Sequence, residues 1–456
     1  MAEIFKAYDI RGVVPDDLDE RVAEAVGAGF VRLTGASQVV TVHDMRTSSA
    51  PLAEAFGRGA AAQGAEVIAA GLGSTDMLYY ASGVLGIPGA MITASHNPAR
   101  YNGIKLCQAG AKPVGQETGL AELKDMVRAG VPAGTAPAGR IVSRDLLSGY
   151  AEHLKKLVDV SGIRPLKVAV DAGNGMAGHT VPTVFEGLPI DLVPMYFELD
   201  GTFPNHEANP IDPENLRDLQ RKVTETGADI GLAFDGDADR CFVVDERGEL
   251  VSPSVLTALI ASRELANEPG ATVIHNLITS RAVPEIIIES GGTPVRTRVG
   301  HSFIKAEMAR TSAIFGGEHS GHFYFRDFWF ADSGMLAALH VLAALGHQDA
   351  PLSEVLAQYA RYSASGEINS EVADQAGITA EVREVYATRP GVTTDDLDGL
   401  TVQGPDWWFN LRPSNTEPLL RLNVEAADPA AMESLRDEVL ELVRGPAGQP
   451  GKKEDS

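Results

Sequence analysis

The chain is poor in cysteine, having two, Cys107 and Cys241. That is too few for a disulfide framework, and nothing around either sets out a thiolate metal site. No apolar run reaches the roughly 18 residues that a membrane-spanning helix needs. The opening residues, MAEIFKAYDIRG, also lack the apolar stretch of a secretory leader. A cytoplasmic protein is therefore expected. Positive charge is scarce as well: 38 Lys and Arg stand against 62 Asp and Glu, a formal charge of −24. A surface of that sign repels nucleic acid and anionic membranes. It repels a phosphorylated ligand too, so any phosphate site must be a local gathering of Arg, Lys and backbone N–H groups. No nucleic acid, membrane or obligate protein partner is implied.

The rest of the composition is ordinary for a globular chain, with 44% hydrophobic and 22% charged residues. A length of 456 residues suggests three or four domains. Three stretches share one pattern: an apolar strand, a polar or glycine-containing turn, a helix, and a second apolar strand. They are QVVTV with AEVIAAG, LKVAV with PIDLVPM, and ATVIHN with TPVRTRVG, the first helix beginning near Pro51. Such alternation predicts βαβ units and parallel sheets. From about Ser363 to Arg444 the pattern changes to EINSEVA, a charged stretch, WWFNLRPS, LLRLNVEA and a closing helix, which predicts a smaller α+β domain with an antiparallel sheet. Linkers are expected near residues 130–145, 245–255 and 360–366, and a disordered tail in GPAGQPGKKEDS.

Four segments carry chemistry. In DIGLAFDGDADR an apolar strand over Ile230–Phe234 delivers Asp235, Asp237 and Asp239 on alternate positions. Three carboxylates so close repel one another unless a cation neutralises them, and hard oxygen ligands select Mg²⁺ or Ca²⁺. Arg240 follows and could bind a phosphate beside the metal. Two alternatives stay open. Glu246 falls at position 12 of an EF-hand loop, although Arg240 occupies the position that requires glycine. Asp235 could also be the nucleophile of a phosphatase. A plain solvated acidic turn fits poorly, because a buried strand feeds the loop.

In GAMITASHNPARYNGIKL, Ser95 ends a strand on a tight turn, where a hydroxyl can carry a phosphate. His96 could assist it, and Lys105 could supply charge or a proton. Ser95 and Asn97 read equally well as turn and capping residues. In IFGGEHSGHFYF, Glu318, His319, Ser320 and His322 suit hydrogen bonding to sugar hydroxyls, or less well a metal. In FNLRPSNTEPLLRLNVE, Arg412, Ser414, Asn415, Thr416 and Arg421 make a phosphate cradle or a proline-bounded hairpin loop, and the two are compatible. Arg11 and His301 add ionisable groups at expected strand ends.

In this order AYDIRG, TASHNP with YNGIK, DGDADR, GEHSGH and RPSNTEP resemble the α-D-phosphohexomutase superfamily over nearly the whole chain. The resemblance implies four domains around a central cleft, three similar α/β domains and a C-terminal α+β domain. Their limits are expected at 1–143, 144–248, 249–362 and 363–445, with 446–456 as the tail. It implies reversible interconversion of hexose 1-phosphate and hexose 6-phosphate through a phosphoserine and a hexose 1,6-bisphosphate. Ser95 then matches the phosphoserine, with Asp235, Asp237, Asp239 and a phosphoserine oxygen as Mg²⁺ ligands. Arg11, Lys105 and His301 match phosphate contact and acid–base positions, beside His96 and Arg240. Glu318, His319 and Ser320 match the sugar loop, and Arg412, Ser414, Asn415, Thr416 and Arg421 the phosphate grip. His43 departs from the Gly-Arg with which relatives often open the HDMRTSS loop, while the Asp44 and Arg46 pattern remains. AYDIRG and GEHSGH resemble the phosphomannomutase/phosphoglucomutase group, so mannose phosphate is expected first and glucose phosphate second. Phosphoglucosamine mutase, an Asp235 phosphatase and a non-catalytic sugar-phosphate-binding protein are the alternatives.

Overall fold

The computed structural model of the chain describes residues 4–414 and 418–445, with only the backbone of 301–302. Local signals set the element limits. Helix Glu20–Thr34 begins where the Asp19 carboxylate accepts the N–H of Val22 at 2.9 Å, and it ends at Gly35 in the left-handed region. Strand Gln38–His43 carries Val39, Val40 and Val42, whose branched side chains pack well on a pleated surface.

These elements build four sheets. Each two-strand pattern of the sequence forms a parallel pair: Gln38–His43 with Glu66–Leu72, Leu166–Asp171 with Ile190–Met195, and Thr272–Asn276 with Thr293–Thr297. The expectation of parallel sheets holds only that far. In each unit a third parallel strand (Gly89–Ile92, Ile230–Phe234 or Phe315–Gly317) turns back as an antiparallel hairpin. The return strands are Tyr101–Gln108, Cys241–Asp245 and Phe323–Phe325. The first three sheets are thus mixed, and they share one strand order. The fourth, with strands Ser363–Glu371, Leu419–Ala426, Trp407–Pro413, Leu400–Gln403 and Thr393–Asp395, is antiparallel throughout. Two expected linkers contain structure: Ile141–Ser143 joins the first sheet, while Leu250–Val251 joins the second and runs into helix Pro253–Asn267. The expected tail, 446–456, lies outside the described residues.

One apolar core runs through the first three units, from Val40 to Leu356, and the fourth packs its own around Val382, Tyr386, Phe409 and Val439. Helix Gly334–Gly346, GMLAALHVLAALG, is buried on every side, which is why its sequence shows no polar face. Two helices of the first unit meet backbone to backbone. A Cβ added at Gly59 would stand 1.9 Å from the Glu24 carbonyl oxygen, and one at Gly27 would stand 2.1 Å from that of Phe56. Gly59→Ala is expected to force helices Glu20–Thr34 and Ser49–Ala62 apart and cost about 1–3 kcal/mol, read as a lower denaturant midpoint.

The all-buried helix also holds His340, stacked on Phe325 with ring centroids 5.3 Å apart. Burial, helped by the charge of Arg263, lowers its pKa to about 3. Between its ordinary value of 6.5 and 3 the unfolded chain therefore binds a proton that the folded chain does not, so stability falls as the pH drops. His340→Phe should lose about 2 kcal/mol less than the parent between pH 7 and pH 5 in matched urea titrations.

Candidate active site

The chemistry-bearing segments lie at equivalent places. Ser95 follows strand Gly89–Ile92, the aspartate loop joins Ile230–Phe234 to Cys241–Asp245, and Glu318–His322 joins Phe315–Gly317 to Phe323–Phe325. Each is the hairpin connection of its unit, so the shared topology brings them to one place. Ser95 Oγ donates to Asp235 Oδ2 at 2.9 Å, across 140 residues of chain, and lies 3.2 Å from His96 Nδ1. A Cβ on Gly236 would stand 2.4 Å from the Ser95 carbonyl oxygen, so this approach requires glycine there.

Ser95 sits at φ +53°, in the left-handed region, as does Ala238 of the aspartate loop at φ +57°. Such a conformation costs a non-glycine residue roughly 1–3 kcal/mol and persists only when its surroundings over-determine it. Arg46 supplies that for the serine turn. It is 3% exposed and donates to four carbonyls of the turn: Ser95 at 2.8 Å, Asn97 at 2.6 Å, Pro98 at 3.0 Å and Tyr101 at 2.9 Å. Its Nε meets Asp44 Oδ2 at 3.2 Å. The His43 substitution leaves this grip intact, because the His43 ring only reaches the Asp44 carbonyl.

Asp235, Asp237 and Asp239 are buried, and their carboxylates converge. Lys105 Nζ lies 2.7 Å from Asp237 Oδ2 and 2.7 Å from Asp239 Oδ2. Arg240 Nε and Nη2 each lie 2.9 Å from Asp235 Oδ2. Burial drives the pKa of Asp235 up, and its two neighbouring carboxylates add to that against Arg240. Burial, the largest single cause, acts the same way on Asp239, but Lys105 together with the other positive groups around it outweighs burial and the net shift is downward. Lys105 itself is held firmly as an ammonium: burial opposes its charge, and Asp237 and Asp239 overcome it.

Asp237 Oδ1 and Asp239 Oδ1 are buried with no hydrogen-bond donor among the described residues. Bare, hard carboxylate oxygens at the end of a strand hairpin fit a divalent cation such as Mg²⁺. An EF-hand is excluded, since Glu246 instead caps helix Leu352–Leu356, accepting from the Ser353 N–H at 3.0 Å and Oγ at 2.6 Å. Asp235 is spent on Ser95 and Arg240, which does not suit a nucleophile open to phosphorus.

In the third unit Glu318 Oε2 accepts from Tyr324 OH at 2.8 Å and Ser320 Oγ at 3.2 Å, and its Oε1 accepts from the Gly300 N–H at 3.2 Å. His322 Nδ1 meets Ser320 Oγ at 2.9 Å, and its Nε2 lies 3.6 Å from Asp239 Oδ1. The metal reading of this loop fails for Glu318 and His319. Glu318 is committed to its donors, and His319, lowered in pKa by burial, faces the charge of Glu367. Asp239, His322 and Asp332 do come together, but Lys305 Nζ already balances Asp332 at 2.5 Å. Arg11 Nη1 donates to Asn97 Oδ1 at 2.5 Å, beside the serine turn.

In the fourth unit Arg412 pairs with Glu367 at 3.4 Å and Asp398 at 3.5 Å, and Arg421 with Glu367 at 3.6 Å. Asp398 Oδ2 also accepts the Val299 N–H at 3.1 Å, which ties this cluster to the Gly300 that Glu318 holds. No ion pair among the described residues joins Arg412 or Arg421 to the aspartates. Ser414 N–H closes the hairpin onto the Leu419 carbonyl at 2.8 Å. Asn415 and Thr416 lie outside the described residues, as does the side chain of His301, whose backbone opens helix His301–Thr311. Sequence reasoning missed Thr75, Tyr324, Lys305 and Asp332. Each looks in sequence like a cap or core residue; Thr75 meets Asp237 only through the packing of separate units, while Tyr324 reaches Glu318, and Lys305 reaches Asp332, within the third unit.

A serine on a strained turn, a carboxylate trio with bare oxygens and guanidinium groups beside it describe an enzyme of phosphoryl transfer. Comparison with known proteins narrows this. Four models, the phosphoglucomutase/phosphomannomutase alpha/beta/alpha domains I, II and III and the C-terminal domain, match residues 2–130, 148–248, 252–362 and 367–442. A protein of Xanthomonas campestris pv. campestris described as "Phosphohexose mutases" is 41% identical over 444 residues, covering 97% of this chain and 99% of its own. A phosphomannomutase of Escherichia coli K12 is 38% identical, covering 96% and 98%. The crystal structure of a phosphoglucomutase/phosphomannomutase family protein from Burkholderia thailandensis superposes with a TM-score of 0.88 at 33% identity, covering 99% of this chain and 100% of that one. The chain belongs to the phosphoglucomutase/phosphomannomutase family. It is a mutase, an isomerase of carbohydrate metabolism, with the four-domain architecture of the family. No described helix is long and apolar enough to cross a membrane.

Arg46→Lys keeps the charge but has too few donors for four carbonyls. It should cost about 3 kcal/mol in unfolding titrations, because buried acceptors are left unpaired. The same variant should lower kcat, since the Ser95 turn is no longer held.

Proposed function

We propose that the chain interconverts hexose 1-phosphates and hexose 6-phosphates, mannose phosphate first and glucose phosphate second, with phosphorylated Ser95 as the resting enzyme. One observation carries this reading: a strained, buried Ser95 hydroxyl hydrogen-bonded at 2.9 Å to the first of three convergent aspartates. Asp235, Asp237, Asp239 and an oxygen of the phosphorylated Ser95 would hold Mg²⁺, which when bound neutralises charge on the transferring phosphoryl oxygens. The named relatives act as phosphohexose mutases and phosphomannomutases, which supports mannose over glucosamine.

The free hydroxyl of a sugar monophosphate attacks the Ser95 phosphoryl group. A new sugar O–P bond forms, the Ser95 Oγ–P bond breaks, and the hydroxyl proton passes to a neighbouring base. The product is a hexose 1,6-bisphosphate, which turns in the cleft and returns its other phosphate to Ser95. Phosphoryl transfer of this kind rests on positioning and charge rather than on further covalent chemistry. Arg240 and Arg11 balance the phosphoryl charge. With Ser95 unphosphorylated, the His96 pKa is lowered to about 3 by burial and by the charges of Arg240 and Arg11, and its ring lies 3.2 Å from the serine oxygen. Lys105, held as an ammonium by Asp237 and Asp239, can give a proton to a leaving oxygen, and it can take one only after losing its own. His301 is the other acid–base candidate. Glu318, His319 and Ser320 read sugar hydroxyls, and Arg412, Ser414, Asn415, Thr416 and Arg421 grip the non-reacting phosphate in either orientation. The cytoplasm is the proposed location.

The test is an assay with mannose 1-phosphate and glucose 1-phosphate separately, with Mg²⁺ and a trace of hexose 1,6-bisphosphate. Both the 6-phosphate and free phosphate are followed. A 6-phosphate without free phosphate is expected, faster with mannose. Ser95→Ala should abolish turnover while folding stays intact; turnover that survives in a clean preparation removes Ser95 as the carrier.

A further inference from the structure

The helix Thr75–Leu85 enters the site from the first unit, and its first residue touches the aspartate loop of the second. Thr75 is fully buried. Its backbone N–H donates to the Asp237 carbonyl at 3.0 Å, and its Oγ1 donates to Asp237 Oδ2 at 2.6 Å. That same Oδ2 takes Lys105 Nζ at 2.7 Å, so both donors fall on one oxygen and Oδ1 remains bare. A carboxylate on a strand-end loop can rotate about its Cα–Cβ and Cβ–Cγ bonds. A hydroxyl fixed on a neighbouring helix removes that freedom.

The helix end is itself bolted down. Asp76 Oδ2 accepts from Tyr150 OH at 2.7 Å and from Ser333 Oγ at 2.6 Å, and its Oδ1 accepts from Ser74 Oγ. Ser333 belongs to the third unit and caps the all-buried helix Gly334–Gly346. The tripeptide Ser74-Thr75-Asp76 therefore touches the second and third units from the first. Thr75 is placed by fixed neighbours rather than by its own helix alone.

We infer that Thr75 is a positioning residue for the cation. Through its hydroxyl it sets which oxygen of Asp237 faces the metal, and so tunes how tightly a divalent ion binds. This rests on the metal reading of the aspartate trio given above. Hydrogen-bond partners of metal ligands commonly change affinity about 10–100-fold when removed. A purely structural helix cap would change stability instead and leave the ion's affinity alone.

The experiment measures Mn²⁺ affinity directly, by the electron paramagnetic resonance of free Mn²⁺, on the full chain with no sugar present. Thr75→Val and Thr75→Ala both lack the hydroxyl, Thr75→Ser keeps it, and Asp237→Asn is the control. Melting in chelator is recorded for each, so that a folding defect is seen separately and either hydroxyl-free variant can serve. Loss of the hydroxyl is expected to raise the Mn²⁺ Kd about tenfold or more, with Thr75→Ser restoring it to within about threefold. A parent-like Kd in Thr75→Val or Thr75→Ala, while Asp237→Asn loses binding, overturns the inference and leaves the metal site standing. A parent-like Kd in Asp237→Asn overturns both, because the ion then binds elsewhere.

Discussion

Three carboxylates with almost no access to water have to be neutralised, and the rest of the structure is arranged around that need. An unpaired buried ion costs several kcal/mol. Asp235, Asp237 and Asp239 therefore gather Lys105 from the first unit and Arg240 from their own loop, and the His322 ring of the third lies 3.6 Å from Asp239 Oδ1. Asp332 and Lys305 close a further buried pair beside them. An overall charge of −24 makes this local balance the more necessary. It also explains how an acidic protein can handle phosphosugars, since the positive groups are concentrated where the ligand goes.

The units converge because they repeat one topology. Each of the first three sheets ends its parallel strands in a hairpin, and each hairpin connection carries a working loop: the serine turn, the aspartates or the Glu318 loop. The fourth unit also uses a hairpin, between Trp407–Pro413 and Leu419–Ala426, for its arginines. A hairpin tip suits such groups, because the paired strands below hold it while the tip is free to curl. Close backbone contact, as of Gly236 with Ser95, then brings the tips together.

The fourth unit is joined to the others by polar contacts and by one small apolar cluster, Trp408 with Leu277 and Ile278. Asp398 reaches the Val299 N–H, Arg296 pairs with Asp395 at 2.5 Å, and Arg281 reaches the Pro405 carbonyl at 2.7 Å. Its core is separate from that of the first three units. Contacts of this kind break and reform more readily than a shared apolar core. That suits the proposed grip on the non-reacting phosphate, which would have to let an intermediate turn.

Much of this was legible in the residues. Alternate carboxylates after an apolar strand, a serine after another and an arginine-rich hairpin loop announce phosphate and metal chemistry, because few other uses justify those side chains at those spacings. The antiparallel return strands were not legible. Periodicity alone does not distinguish a strand that turns back from one that crosses over. Nor were Thr75 and Tyr324, which look in sequence like cap and core. What the sequence alone determined is the family, and with it the side chains proposed to carry the chemistry, since these follow from residue type and local spacing. Only the tertiary structure decided that Ser95 meets Asp235, that Lys105 lies between Asp237 and Asp239, and that Thr75 hydrogen-bonds a carboxylate 162 residues away. Those contacts depend on how separately folded units pack, and no local pattern encodes that.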